Sequence, residues 1–162
     1  MSLIIRTGTA SDTDALVQQF QALNTYEDAI TGDRRTDRAG AVASYEAACQ
    51  RALGSGGTVL VAERGGELVG FLLVSVEEDP LFVRAELRSH AHISDLYVEA
   101  HERRSGIAAA LIGEAERYAL AHGLTRLTVN VLAGNAGAQT AYQRLGFTPQ
   151  NVELSKVLVP AK

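Results

Sequence analysis

The stretch HISDLYVEAHERRSGIAAA, His92 to Ala110, reads as a strand that runs into a basic, glycine-containing turn and then opens a helix. A helix N-terminus presents unpaired backbone amides and the positive end of its dipole, so such a turn suits a pyrophosphate. Gly106 permits close backbone approach and a positive φ, and Ala108 keeps the next turn small. Arg103 and Arg104 add cationic donors for phosphate oxygens. Taken alone, the turn fits several nucleotide ligands, and a glycine before an exposed helix also serves as a plain turn. The Gly-x-Gly-x-x-Gly spacing of a doubly wound dinucleotide site is absent.

Downstream, Ser105 to His122 places Ile107, Leu111, Ala115 and Tyr118 on one helical face and stops at Gly123. Leu124 to Leu132 reads as a strand, Asn135 to Leu145 as a helix, and Val152 to Val159 as a final strand. Upstream, a strand from about Ser89 to Val98 follows a loop at Glu77 to Arg88 that contains Pro80. Thr58 to Glu63 and Leu68 to Val76 flank Gly65-Gly66 as a hairpin. Leu3 to Arg6 is a strand, and Ser11 caps a helix carrying Leu16, Phe20 and Leu23. Thr25 to Arg38 reads as a polar connection, and Ala39 to Leu53 as a helix ended by Gly54. Strand, helix, helix, three strands, helix, strand, helix, strand predicts an α/β fold: a mixed sheet with helices on its faces.

The chain has 162 residues, 46% of them hydrophobic and 21% charged, which suits one domain over residues 1–162. Cys49 is the only cysteine, so neither a disulfide framework nor a Cys-rich zinc site is expected. A net charge of -4 argues against a nucleic-acid partner, whose non-specific binding needs a broad basic surface. The sequence holds neither a leader-like N-terminus nor an apolar run of ~20 residues, so no membrane partner and a cytoplasmic location are expected. His90 and His92 share a strand face, but with no third ligand at regular spacing no metal is expected.

Arg103-Arg104-Ser105-Gly106-Ile107-Ala108 after Leu96-Tyr97-Val98 resembles the acyl-CoA motif of the GNAT superfamily of N-acetyltransferases, Gln/Arg-x-x-Gly-x-Gly/Ala. Asn135 with Ala141-Tyr142-Gln143-Arg144-Leu145-Gly146-Phe147 resembles that family's second motif, with a longer spacing from Asn135 to Ala141. The resemblance implies the GNAT fold and an acetyl-CoA-dependent enzyme that acetylates a primary amine of a small molecule or peptide by direct transfer. The alternative is a CoA-binding regulatory or sensor module with the same cleft, because fold alone does not establish chemistry. The resemblance further implies that backbone amides of Arg103, Arg104, Ser105, Gly106, Ile107 and Ala108 hold the pyrophosphate. It has Leu96, Tyr97 and Val98 pair with the pantetheine where two strands diverge, Asn135 face the pantetheine or the entrance of the last helix, and the Tyr97 amide stabilise the oxyanion. A homodimer is also within the family's range.

Acetyl transfer from a thioester needs a neutral amine, oxyanion stabilisation and a proton for the thiolate. Tyr142 is the expected general acid, since a phenol of pKa ~10 is protonated at neutral pH. For the base, His92, Asp95 and Glu99 are rivals, beside routes through water with no dedicated base. Tyr26, Glu27 and Asp28 would hold a cationic amine, and Phe82 and Arg84 a different acceptor bearing a carboxylate; all five also read as solvated loop residues.

Overall fold

A computed structural model describes residues 1–160. β1 (Leu3–Thr7), β2 (Thr58–Arg64), β3 (Glu67–Glu78), β4 (Ser89–Val98) and β5 (Leu127–Val129) form one sheet in that spatial order. β1 to β4 run antiparallel in succession, and β5 joins β4 in parallel. β2 and β3 are apolar on both faces because helices cover both. Their turn is Gly65-Gly66 at φ +63° and +86°, the left-handed pair that a tight hairpin requires.

One face packs on α1 (Thr13–Thr31) and α2 (Arg38–Gly54) through Phe20, Val61, Phe71, Leu73 and Tyr97. The Phe20 and Phe71 rings stack at 4.6 Å. A single turn, α3 (Ala85–Arg88), lies in the expected 77–88 connection. The opposite face of the sheet packs on α4 (Ile107–Ala121) through Leu72, Val74, Ile93, Ile107, Leu111 and Ala115. Tyr142, Leu145 and Phe147, from α5 (Ala136–Arg144) and just beyond it, border that second core. Among the described residues no helix is long and apolar enough to cross a membrane.

Three expectations are corrected. The polar segment 25–38 is helical up to Thr31, so Tyr26, Glu27 and Asp28 lie on the last turns of α1. Leu23, Glu27 and Ile30 continue the helical spacing, and nothing breaks the helix before Gly32 at φ +71°. The strand expected over Leu124 to Leu132 keeps ladder partners only at Leu127–Val129, because β4 diverges beyond Ile93. The final strand expected at Val152 to Val159 is absent: every residue of 148–160 is exposed and has no sheet partner.

Candidate active site

The divergence of β4 from β5 begins at a bulge. Leu73 pairs with Asp95 and Val74 with Ile93, so Ser94 is the extra residue of β4. Ser94 Oγ is buried and, among the described residues, has no hydrogen-bond partner. Ladder pairs to β5 stop at Ile93, which leaves 94–98 held only by β3.

The bulge also reverses which backbone groups face the opening. The Ala91 amide donates to Arg126 O on the β5 side, whereas the Glu99 amide donates to Val69 O beside β3. Alternation back from Glu99 turns the Tyr97 amide toward β3 and the Leu96 and Val98 backbone groups toward the open side. Arg103 Nε donates to Val98 O at 3.1 Å, in agreement. The amide that faces the opening is therefore that of Leu96 and not that of Tyr97, contrary to the Tyr97 expectation. Its cause is the one-residue offset at Ser94, which the sequence pattern conceals.

Beyond β4, a 3-10 turn (Ala100–Glu102) leads to Arg104 at φ +64° and Gly106 at φ +85°. A β-carbon on Gly106 would meet nothing within 4 Å, so glycine serves the left-handed conformation here rather than space. Among the described residues no side chain caps α4, which leaves the amides of its first turn as free donors. Ser105 Oγ donates to Glu102 O. This loop and the unpaired β4 edge together fit an extended, phosphate-ended ligand such as CoA.

The Arg103 guanidinium packs over the rings of Tyr26, at 5.0 Å, and Tyr97, at 5.8 Å. The Tyr26 hydroxyl donates to Asn135 Oδ1 at 3.3 Å, joining α1 to the N-cap of α5, where the same oxygen accepts from Ala138 N. A groove of about 530 Å³ runs here, bordered by Gln21, Thr25, Tyr26, Tyr97, Ala100 and Arg103. Tyr26 thus borders the phosphate turn and Asn135.

Tyr142 is half-buried, edge-on to Phe147 at 5.5 Å, and its hydroxyl has no protein partner among the described residues. Burial, aided by the negative charge of Glu27, pushes its phenol up to about 12. His92 is buried, and its Nδ1 shares a 2.8 Å hydrogen bond with Thr128 Oγ1 on β5. Burial lowers its pKa and so favours the neutral imidazole. Burial raises the pKa of Asp95, and Glu27 adds to that effect. Among the described residues no group of three or more His, Cys, Asp and Glu is arranged around a metal ion.

Other named residues serve different ends. Both carboxylate oxygens of Glu99 are engaged: Gln19 Nε2 donates at 3.1 Å and the Tyr97 hydroxyl at 3.2 Å. Gln19 also donates to Leu68 O, so it braces α1 against the end of β4. Nothing local in the sequence singles out Gln19, because its partners lie far along the chain. Asp28 accepts from the Arg34 amide, and Glu27 pairs with the Arg34 guanidinium at 2.8 Å. Phe82 is 87% exposed, and Arg84 forms a surface ion pair with Glu86. The charges of Glu77 on β3 and Arg51 on α2 also act on His92, the first opposing and the second adding to the lowering of its pKa, and local spacing gives neither away.

The profile of the acetyltransferase (GNAT) family matches residues 21–147. The uncharacterized N-acetyltransferase YhfO of Bacillus subtilis is 30% identical over 105 residues, which cover 64% of this chain and 68% of that protein. The fold matches a mutant form of the BH1408 protein of Bacillus halodurans with a TM-score of 0.81 at 23% identity, over 96% of this chain and 99% of that one. It also matches an aminoglycoside N-acetyltransferase, AAC(6')-Iy, in complex with CoA, with a TM-score of 0.65 at 17% identity, over 99% of this chain and 95% of that one. With its strand, turn and helix arranged as described and the family profile spanning both motifs, the chain belongs to the GNAT acetyltransferase family and is an N-acetyltransferase.

Proposed function

We propose that the protein transfers the acetyl group of acetyl-CoA to a primary amine of a small molecule or peptide, directly, within a ternary complex. The observation that carries this reading is the parting of β4 from β5 after Ile93, which frees the Leu96 and Val98 backbone groups beside the uncapped start of α4. Acetyl-CoA supplies an activated acyl carbon; every other task falls to this chain. The edge of Leu96 and Val98 pairs with the amides of the pantetheine as an added strand would. The amides of 103–108, with Arg104, hold the pyrophosphate. Asn135 and Tyr26 border the pantetheine, and the Arg103 guanidinium moves from Val98 O as that edge is taken up.

The Leu96 amide stabilises the oxyanion as the amine nitrogen attacks the thioester carbon. His92, held in orientation by Thr128 and neutral at pH 7, accepts the amine proton through Nε2 or a bridging water. The C–N bond forms, the C–S bond breaks, and Tyr142 donates a hydrogen bond to the departing sulfur. Glu27, whose charge acts on both Asp95 and Tyr142, attracts a cationic amine; Asp28, Phe82 and Arg84 have no role in this reading, and Glu99 acts as a brace. Burial raises the pKa of Cys49, so its thiol stays protonated at neutral pH, in keeping with transfer that forms no acyl-enzyme.

The aminoglycoside N-acetyltransferase complexed with CoA is a relative in fold whose acceptors belong to the same broad class of small amines. Thiol release from acetyl-CoA across polyamines, aminoglycosides, simple amines and peptide N-termini tests the reading. Release should depend on the amine and match N-acetylated product one to one. Equal release with and without amine would overturn it.

A further inference from the structure

Three polar side chains stand in one row across the sheet: Ser75 on β3 pairs with His92 on β4, which pairs with Thr128 on β5. Leu73, two residues before Ser75, packs on α1 and α2, so alternation along β3 puts the row on that same face. Asp95, opposite Leu73, shares the face because the bulge at Ser94 takes up the extra residue. Ser75 is fully buried, and its hydroxyl donates to Glu77 Oε1 at 3.0 Å. In the acetyl-transfer reading the acceptor amine lies over this row, beside His92.

The end of α2 is tied down next to the row. Ser55 Oγ accepts the Val76 amide at 2.9 Å, which fixes the helix terminus to the β3 residue between Ser75 and Glu77. Arg51 stands one turn earlier on the same helix edge, its carbonyl accepting the Ser55 amide at 3.1 Å. Beyond the dominant effect of burial on both groups, the Arg51 charge favours the neutral imidazole of His92 and the ionised carboxylate of Asp95. Arg51 is exposed, and among the described residues its guanidinium makes neither an ion pair nor a hydrogen bond; Arg34 and Arg126, by contrast, each hold a carboxylate. Glu27, on α1, acts on Asp95 and Tyr142. One helix thus brings negative charge to the opening, and the other an unpaired cation.

We infer that Arg51 receives a carboxylate of the acceptor, so that the substrate is of the amino-acid class, its amine at His92 and its carboxylate under the end of α2; this rests on the acetyl-transfer reading of the opening. A guanidinium fork meets a carboxylate through two parallel hydrogen bonds. Glu77 and Asp95 lie on the same face of the sheet, and their repulsion favours a singly charged carboxylate over a doubly charged phosphate. Polyamines and aminoglycosides carry no anion for Arg51 and bring further positive charge beside it.

The test sets glycine, β-alanine and γ-aminobutyrate each against its own amide, with rates taken per unprotonated amine because the carboxylate also shifts the amine's pKa. At least one acid should exceed its amide in kcat/KM by roughly 10- to 150-fold, the scale of a hydrogen bond to a charged group. Arg51→Gln should bring that ratio close to one, with the circular dichroism of the parent protein because Arg51 is exposed and unpaired. Calorimetric titration of the same pairs into the protein with CoA present reads the preference without turnover. The acid should bind at least about tenfold more tightly than the amide, and Arg51→Gln should erase the difference. Amides equal to their acids in both measurements, or a preference that survives Arg51→Gln, would overturn the inference. Acetylation with no preference for the acids would leave the transfer reading standing, whereas acid-selective binding without product would overturn that reading and support the role of Arg51.

Discussion

Replacing Tyr142 with phenylalanine isolates a single hydroxyl. That hydroxyl has no protein hydrogen-bond partner among the described residues, and phenylalanine keeps the edge-on contact with Phe147. Folding should therefore be insensitive, with a Tm change within about 2 °C. The phenol, pushed up to about 12, is a weaker acid than the departing thiol, which by comparison with cysteine has a pKa of ~8.5. Complete proton transfer across roughly 3.5 pKa units would run uphill by about 5 kcal/mol. In the proposed reading Tyr142 therefore acts chiefly by donating a hydrogen bond to the developing thiolate, and bonds to charged groups contribute about 1.5–3 kcal/mol. Tyr142→Phe should lower kcat roughly 10- to 150-fold. Thiol release at saturating substrates gives kcat, and calorimetry should find the Kd for acetyl-CoA changed by no more than about threefold. A kcat within threefold of the parent protein, or a loss confined to Kd, would refute this reasoning.

Leu96→Pro removes an amide that lies outside the β3 ladder; the variant should fold but lose about 10²–10³ in kcat, and a folded variant with unchanged kcat would refute the role given to that amide. Because burial lowers the pKa of His92 below its ordinary 6.5, kcat/KM should be level above that pH and fall below it as the imidazole protonates. His92→Gln should remove this acid limb along with roughly 10²-fold of activity, and a retained limb would assign the base elsewhere. Asp12 is buried and accepts two Arg6 hydrogen bonds, at 2.8 and 2.9 Å, plus the Thr9 amide at 2.7 Å. Asp12→Asn should cost about 2 kcal/mol in urea denaturation, toward the low end for a buried pair because Arg6 is partly exposed. The Arg6 guanidinium depresses the carboxyl pKa of Asp12, so its contribution is complete above the ordinary 3.8 and fades as pH falls further. The difference between parent and variant should shrink in that range, and a constant difference would contradict the linkage.

The strand, turn and helix from His92 to Ala110 are legible in the sequence because their signals are local: a glycine that must take φ +85°, then apolar residues at helical spacing. Asn135 as N-cap of the last helix is legible for the same reason, since its side chain accepts the Ala138 amide nearby. The direction of the Leu96 amide is not, because the bulge at Ser94 depends on how β4 meets β3 and β5, and no short pattern encodes it. The brace from Gln19 to Glu99 spans 80 positions and is equally hidden. Polar residues of 25–31 hide the end of α1, whose role emerges only when Tyr26 meets Asn135 and Arg103. Val152 to Val159 has the alternation of a strand, but it pairs with no strand among the described residues.

The central claim is amine-dependent transfer through the opening between β4 and β5. Its most direct measurement is quantitation of released thiol and N-acetylated product from acetyl-CoA carrying a heavy-isotope label in its acetyl carbon, by mass spectrometry, with the unaltered chain and the Leu96→Pro variant in parallel. The account predicts equal amounts of thiol and labelled product with the unaltered chain, and loss of both in the variant while it remains folded. Tight CoA binding without labelled product from any amine class, or full turnover in the folded variant, would contradict it.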